Sequence, residues 1–291
     1  MEHFIKYVDI HNFKSIADLK LEDCRRINLF IGYPNVGKSN VLEALSLFSV
    51  PYLNEGENLN KLVRAENAAE LFHSLSVPNL CNIATNLSTL DLFLQLPYFE
   101  IRHYKEDESG MYYDFLEELK FLEKKSDLWS EDEKPNFCGI SNIKRYTFNP
   151  NNKWQSNRSS LLLPPFGENI IDTLSYNPNL ANMKSWMKQE FSKFGLEYVL
   201  DKLSNNLKLQ RRLGDDEIIQ LPYSSIADTL QRLIFYRTAI ASNKNSVLLF
   251  EEPEAHAFPP YIRHITQDII DAESNQFFIV THSPFVINDF L

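Results

Sequence analysis

Eight consecutive residues constrain this chain more than any others. Gly32-Tyr33-Pro34-Asn35-Val36-Gly37-Lys38-Ser39 fits G-x-x-x-x-G-K-[ST], the phosphate-binding loop. Residues 27–31 are apolar except for Asn28 and read as a buried strand entering the loop. Residues 40–48 carry Val41, Leu42, Leu45 and Leu47 at helical spacing and read as a helix leaving it. A strand before and a helix after is the setting the motif requires. A helix start leaves backbone N–H groups unpaired and carries partial positive charge, so it attracts phosphate. Gly32 and Gly37 let the backbone wrap an anion closely. The expected nucleotide-binding set is therefore Gly32, Pro34, Asn35, Val36, Gly37, Lys38, Ser39 and Asn40. Within it, Lys38 reaches the β- and γ-phosphates of a nucleoside triphosphate such as ATP, and the Ser39 hydroxyl holds Mg²⁺.

The 291 residues suffice for one large α/β domain or two small ones. A formal net charge of -10 argues against a basic surface for nucleic acid, although a local patch stays open. The acidity is concentrated over residues 105–134, where acids outnumber bases roughly two to one, and reads as a solvated face or insertion. Cys24, Cys81 and Cys138 are widely spaced, so neither a disulfide framework nor a zinc site emerges. The first residues lack the apolar run of a signal peptide, and no stretch is long and apolar enough to span a bilayer. A cytosolic protein without membrane contact is the expectation.

Periodicity predicts strands over residues 4–10 and 17–21, with a polar-aromatic break between them at Phe13-Lys14-Ser15-Ile16. It predicts a helix over 65–76, antiparallel strands over 90–104 and 141–148, and an amphipathic helix over 111–125. Residues 170–203 read as helical with an interruption at Asn177-Pro178-Asn179, and 207–220 as a hairpin broken at Gly214-Asp215-Asp216. Near the C-terminus, helix 226–242, strand 246–250, helix 262–270 and strand 276–280 alternate. Open parallel sheets of this kind carry their functional residues at strand C-terminal ends.

Two such ends are polar here. Val247-Leu248-Leu249-Phe250 runs into Glu251 and Glu252. Alone, two acids after a strand are surface residues in a turn. Beside a phosphate loop they suit a nucleoside triphosphatase, with Glu251 orienting the metal and Glu252 polarising the attacking water. The second end is His282, after 276–280, placed to hydrogen-bond a γ-phosphate and sense its loss. His256 reads as a residue that caps or packs the turn before Pro259-Pro260.

In combination these stretches resemble a family. Asn12-Phe13-Lys14-Ser15, the loop 32–39, Ser224-Ser225 before Gln231-Arg232, the run Leu248 through Glu251-Glu252-Pro253-Glu254-Ala255-His256, and Thr281-His282-Ser283-Pro284 follow the order seen in ABC-type ATPase heads. The resemblance is to the RecF/SMC group, which includes the ATPase half of overcoming-lysogenisation-defect nucleases and small bacterial ATPases of defence systems. It covers about the first 50 and last 70 residues. It implies an α/β P-loop NTPase head of two lobes, with a mixed central sheet and a helical insertion. Lobe I would span about 1–160, the insertion about 167–205, and the signature, acidic and histidine segment about 221–291. It further implies a head-to-tail homodimer with ATP at the interface, one subunit giving the phosphate loop, Glu251, Glu252 and His282, the other a signature serine. Ser225, at a helix N-terminus, is the candidate for that serine, and residues 12–15 would lie near the adenine.

The sequence departs from the family pattern in four places. Ile226 and Ala227 follow Ser225 where glycines are usual, and Glu251 stands where aspartate is commoner. Gln95 and Gln155 are both candidates for the glutamine that links the lobes. The chain ends soon after His282, where relatives continue, which leaves either a minimal head or a piece of a longer protein. The functional expectation is an ATPase whose dimerisation regulates a separate effector, with an antiviral-defence or toxin-type nuclease leading. The rivals are a DNA-repair ATPase that binds DNA directly and a scaffold that binds ATP without hydrolysing it.

Overall fold

The structure, a computed structural model, describes residues 3–53, 59–73, 80–95, 98–106, 112–124, 127–130, 141–214 and 216–291. The strands in chain order are β1 (Val8–Phe13), β2 (Ile16–Leu21), β3 (Ile27–Phe30), β4 (Leu80–Thr85), β5 (Thr89–Gln95), β6 (Tyr98–Glu106), β7 (Tyr112–Lys124), β8 (Asp127–Ser130), β9 (Ile143–Tyr146), β10 (Glu197–Asp201), β11 (Asn206–Arg212), β12 (Ile218–Pro222), β13 (Val247–Glu251) and β14 (Gln276–Val280). The α-helices are α1 (Lys38–Ser46), α2 (Ile170–Tyr176), α3 (Ala181–Ser192), α4 (Asp228–Ser242), α5 (Pro259–Asp271) and α6 (Pro284–Phe290). The chain divides into two units, the first made of residues 1–145, 245–251 and 275–282, the second of 146–244, 252–274 and 283–291.

In the first unit, β13 and β14 are apolar apart from Glu251 and Gln276, and buried at every residue except Glu251. Strands buried on both faces belong in the middle of a parallel sheet, where polar alternation would bury unpaired groups. They pair in parallel with each other and β14 pairs in parallel with β3, in the order β3-β14-β13-β9. Against this lies a seven-stranded antiparallel sheet, β2-β1-β4-β5-β6-β7-β8. Helix α1 presents Val41, Leu42, Ala44 and Leu45 to the core between them, with Ile10, Phe13, Ile83, Leu92, Leu249 and Phe278.

In the second unit, α4 packs on α2, α3 and α5, and α5 on α6. Leu230, Leu233 and Ile234 of α4 and Ile262, Ile265 and Ile269 of α5 are buried at helical spacing. A three-stranded antiparallel sheet, β10-β11-β12, completes this unit and includes the expected hairpin. Among the described residues, no helix is long and apolar enough to cross a membrane.

Three local expectations need correction. The stretch 112–124 is a strand, not an amphipathic helix; it pairs with β6 through two register shifts. Tyr112, Tyr113 and Phe115 favour a pleated surface, and a long neighbouring strand outweighs weak helical periodicity. The expected helix over 65–76 is a single 3-10 turn, Ala68–Leu71, capped by Asn67, whose side chain accepts from the Glu70 N–H. Phe72 then leaves helical geometry to bridge Phe13; residues 74–76 lie outside the described residues, as do 107–111, 125–126 and 131–140 of the acidic stretch. Third, the helical region beginning at Ile170 ends with α3, and its last residues form β10, paired with β11.

Candidate functional site

Strand register aligns the candidate residues of the first unit. Glu251 lies opposite Val280 across β13 and β14, and Val280 opposite Phe30 across β14 and β3. The three strands therefore end level, and the Thr281 N–H donates to the Phe30 carbonyl at 3.2 Å to hold the next residue in line. Beyond these ends come the loop 31–37, Glu251 and His282, so the first unit gathers most of the expected site at the C-terminal edge of its parallel sheet.

The loop closes onto α1 at Gly37, whose φ of 92° is left-handed and carries no side-chain cap for the helix. A Cβ there would meet Ser15 Oγ at 3.1 Å, so a larger residue would be both strained and crowded. No side chain caps the first helical turn, which begins directly after the loop. Lys38 begins the helix, and its Nζ donates to the carbonyls of Gly32 at 2.9 Å and Tyr33 at 2.6 Å. The ammonium thus spans the loop from the inside, where phosphate oxygens could replace carbonyls as its acceptors. Asn40 Nδ2 donates to Ser15 Oγ at 2.6 Å, which ties the β1–β2 turn to the start of α1. Asn12, near the end of β1, and Lys14, in that turn, take left-handed backbone. Tyr33 and Val36 are strongly exposed, at 84% and 62%.

Glu251 does not stand alone. Arg145 Nη2 donates to its Oε2 at 2.9 Å and Arg64 Nη2 to its Oε1 at 3.3 Å. Arg64 also reaches back to α1, its Nε 2.5 Å from Oε1 of Glu43. Glu43 is fully buried, and its other oxygen pairs with the Lys14 ammonium. Burial alone would raise the Glu43 carboxyl; Lys14 and Arg64 overcome it and hold the group below the ordinary carboxylate range. A chain of alternating charges therefore runs from the β1–β2 turn through the phosphate-loop helix to the end of β13.

This network has little signature in the sequence. One signal was available: Glu43 is a lone acid among Val41, Leu42, Ala44 and Leu45, and a carboxylate on an apolar helix face needs a cationic partner. Nothing in the sequence pointed to Arg64 or Arg145 as that partner's neighbours.

Glu252 opens the second unit's middle segment and takes left-handed backbone, φ 45°, unusual for a residue with a long side chain. Its carbonyl accepts from the Ala255 N–H at 3.0 Å, forming a tight turn. His256, also left-handed, offers its carbonyl to Thr229 Oγ1 at 2.7 Å, so it anchors the turn to α4 through its backbone. Ser225 is exposed and ends a 3-10 turn, Tyr223–Ser225. It is not at the N-terminus of the following helix as expected: α4 starts at Asp228 with Ala227 as its cap. Buried Gln231 donates from Nε2 to the Ile226 carbonyl at 2.7 Å, which occupies that backbone and pulls the segment out of helix. Gln155 is exposed in the second unit, and the Gln95 side chain lies outside the described residues.

Ser39 and Glu251 offer hard oxygen donors, which suit Mg²⁺. Among the described residues no three His, Cys, Asp or Glu side chains gather as a metal-binding cluster.

The chain is 25% identical over 319 residues to an "ATP/GTP phosphatase" of Helicobacter pylori, covering 96% of this chain and 85% of that one. A shorter match, 36% over 61 residues, is to the DNA replication and repair protein RecF of Caldanaerobacter subterraneus subsp. tengcongensis, covering 21% of this chain and 17% of that protein. Among solved structures, an SMC head bound to the C-winged helix domain of ScpA superposes with a TM-score of 0.50 at 14% identity, over 98% of this chain and 91% of that one. The fold is that of ABC-type P-loop ATPase heads of the RecF/SMC group. Within that class the chain belongs to the family described as "AAA domain, putative AbiEii toxin, Type IV TA system", whose profile matches residues 81–288.

Proposed function

We propose that this protein is an ATPase that binds Mg-ATP on the loop 32–39, hydrolyses it, and uses ATP to pair two copies head to tail. The observation that carries this reading is the level ending of β3, β14 and β13, which brings the loop, His282 and Glu251 to one sheet edge. The family and the phosphatase relative support it.

Each side chain then has a task. Lys38 exchanges its loop carbonyls for β- and γ-phosphate oxygens, and the first N–H groups of α1 bind the same anion. Ser39 and Glu251 would hold Mg²⁺, which when bound neutralises phosphate charge and polarises the terminal phosphoryl group. Glu252 accepts a proton from the attacking water as its oxygen bonds to the γ-phosphorus and ADP leaves. His282 donates to a γ-phosphate oxygen. Ser225 of the second copy contacts that phosphate across the dimer, and residues 12–15 border the adenine. A cytosolic setting and a separate effector, toxin or defence nuclease, complete the proposal.

A scaffold that binds ATP without turnover is the second reading. The displacement of Ser225 from the start of α4 favours it, because a serine outside a helix terminus lacks that terminus's N–H groups as allies. Steady-state phosphate release by the purified protein separates the two: turnover abolished by Glu252→Gln supports the ATPase, and tight ATP binding with no turnover supports the scaffold.

A further inference from the structure

Glu251, the carboxylate assigned to the metal, has a guanidinium on each oxygen. The two are not equivalent. Arg145 is 8% exposed and also donates to the Leu62 carbonyl at 2.5 Å, so it is fixed from both sides. Arg64 is 65% exposed, makes the longer contact with Glu251, and has a second carboxylate, Glu43, closer at hand. A divalent ion at Glu251 would place a third cation around one carboxylate. The cheapest relief is loss of the longer, solvated contact, because Arg64 keeps its bond to Glu43 and its head can turn to water.

We infer that Arg64 is a positioning residue, the exchangeable counter-ion of Glu251. It holds the carboxylate in line before metal arrives and gives way when metal binds. This rests on the proposed function, in that it takes Glu251 as the metal's carboxylate. Because Glu43 and Lys38 share α1, the exchange couples metal arrival to the phosphate loop through one side chain. Removing the Arg64 charge removes a competitor, so the metal should bind more tightly.

Mn²⁺ titration of ADP-loaded protein, followed by electron paramagnetic resonance, reads this directly. Arg64→Gln should bind Mn²⁺ at least threefold more tightly than wild type, and Arg64→Lys should behave as wild type. ADP affinity in EDTA should be the same in all three. Equal Mn²⁺ affinities within twofold, weaker binding by Arg64→Gln, or identical gains in both variants overturn the inference while leaving the ATPase reading intact. Failure of the wild type to bind nucleotide removes the proposed function and this inference with it. Should Arg64→Gln not fold, phenylglyoxal labelling of Arg64 in ADP-loaded wild type decides. Labelling should rise at least threefold on adding Mg²⁺, and labelling unchanged by metal overturns the exchange.

Discussion

The Lys38 ammonium lies 2.9 Å from the carbonyl oxygen of Gly32, six residues back along the chain, so the loop is closed by the same cation that is proposed to bind its ligand. Lys38→Ala removes that cation. Nucleotide binding should fall beyond detection, at least a hundredfold or about 3 kcal/mol. The fold should persist, because the side chain is only half-buried and its ammonium bonds to loop carbonyls. Titration with a fluorescent ATP analogue and a circular dichroism spectrum check both halves; affinity within twofold of wild type would exclude the phosphate-loop assignment.

Glu252→Gln should leave ATP binding intact and slow hydrolysis by about 10²–10⁴-fold, since an amide cannot take the water's proton. Single-turnover hydrolysis measures it. A wild-type rate would transfer the role to another group, with His282 first in line.

Ser225→Arg tests the shared site. Each copy should still bind ATP on its own loop, while hydrolysis and ATP-induced dimerisation both fail. Mixed with Lys38→Ala protein, it should regain part of its activity, because one of the two composite sites then carries neither change. Sedimentation velocity with ATP and an activity assay of the mixture give the answer. Wild-type turnover by Ser225→Arg alone would mean that the enzyme works within one chain.

Glu43→Ala should destabilise the fold by about 2–4 kcal/mol, because it removes the buried carboxylate that pairs with both Lys14 and Arg64. Its pH signature follows from the lowered carboxyl. The folded value lies below the unfolded one, so the stabilisation is complete above the unfolded value and fades as pH falls through the folded one. Urea unfolding of wild type and Glu43→Gln should therefore differ most at neutral pH and converge in acid. A constant difference down to strongly acidic pH would show that the pairing is not ionic.

His103 supplies a second pH dependence. It packs edge-on against Phe48 at 5.7 Å, its Nε2 is buried without a hydrogen-bond partner, and burial pushes its pKa down to about 4. The folded state therefore favours the neutral ring. Stability should be full above the ordinary value of about 6.5 and decline by up to about 2–3 kcal/mol as pH falls to 4. His103→Gln should flatten urea-midpoint profiles between those limits; an unchanged slope would assign it to other groups.

The candidate site is more legible in the sequence than the frame that holds it. The loop 32–39, Glu251 and His282 were legible because phosphate binding and strand-end chemistry demand particular residues at fixed spacing. The strand at 112–124 was not, because its identity depends on pairing with β6 and its local pattern suits either period. The start of α4 was missed for a related reason: Gln231 fixes it by bonding back to Ile226, a preference no propensity encodes. The pairing of Glu43 with Lys14 and Arg64 depends on tertiary proximity between residues far apart in sequence.

The three strands that end at the site come from distant parts of the chain, and the Asn28 side chain bonds to the Phe277 carbonyl across 249 residues. During synthesis the phosphate loop leaves the ribosome first and must wait for β13 and β14 before its sheet exists. Pairings so far apart in sequence close slowly and late. Nucleotide capture should accordingly wait for synthesis through β14: a nascent chain halted before residue 276 would carry the entire loop motif and yet lack the sheet that fixes it.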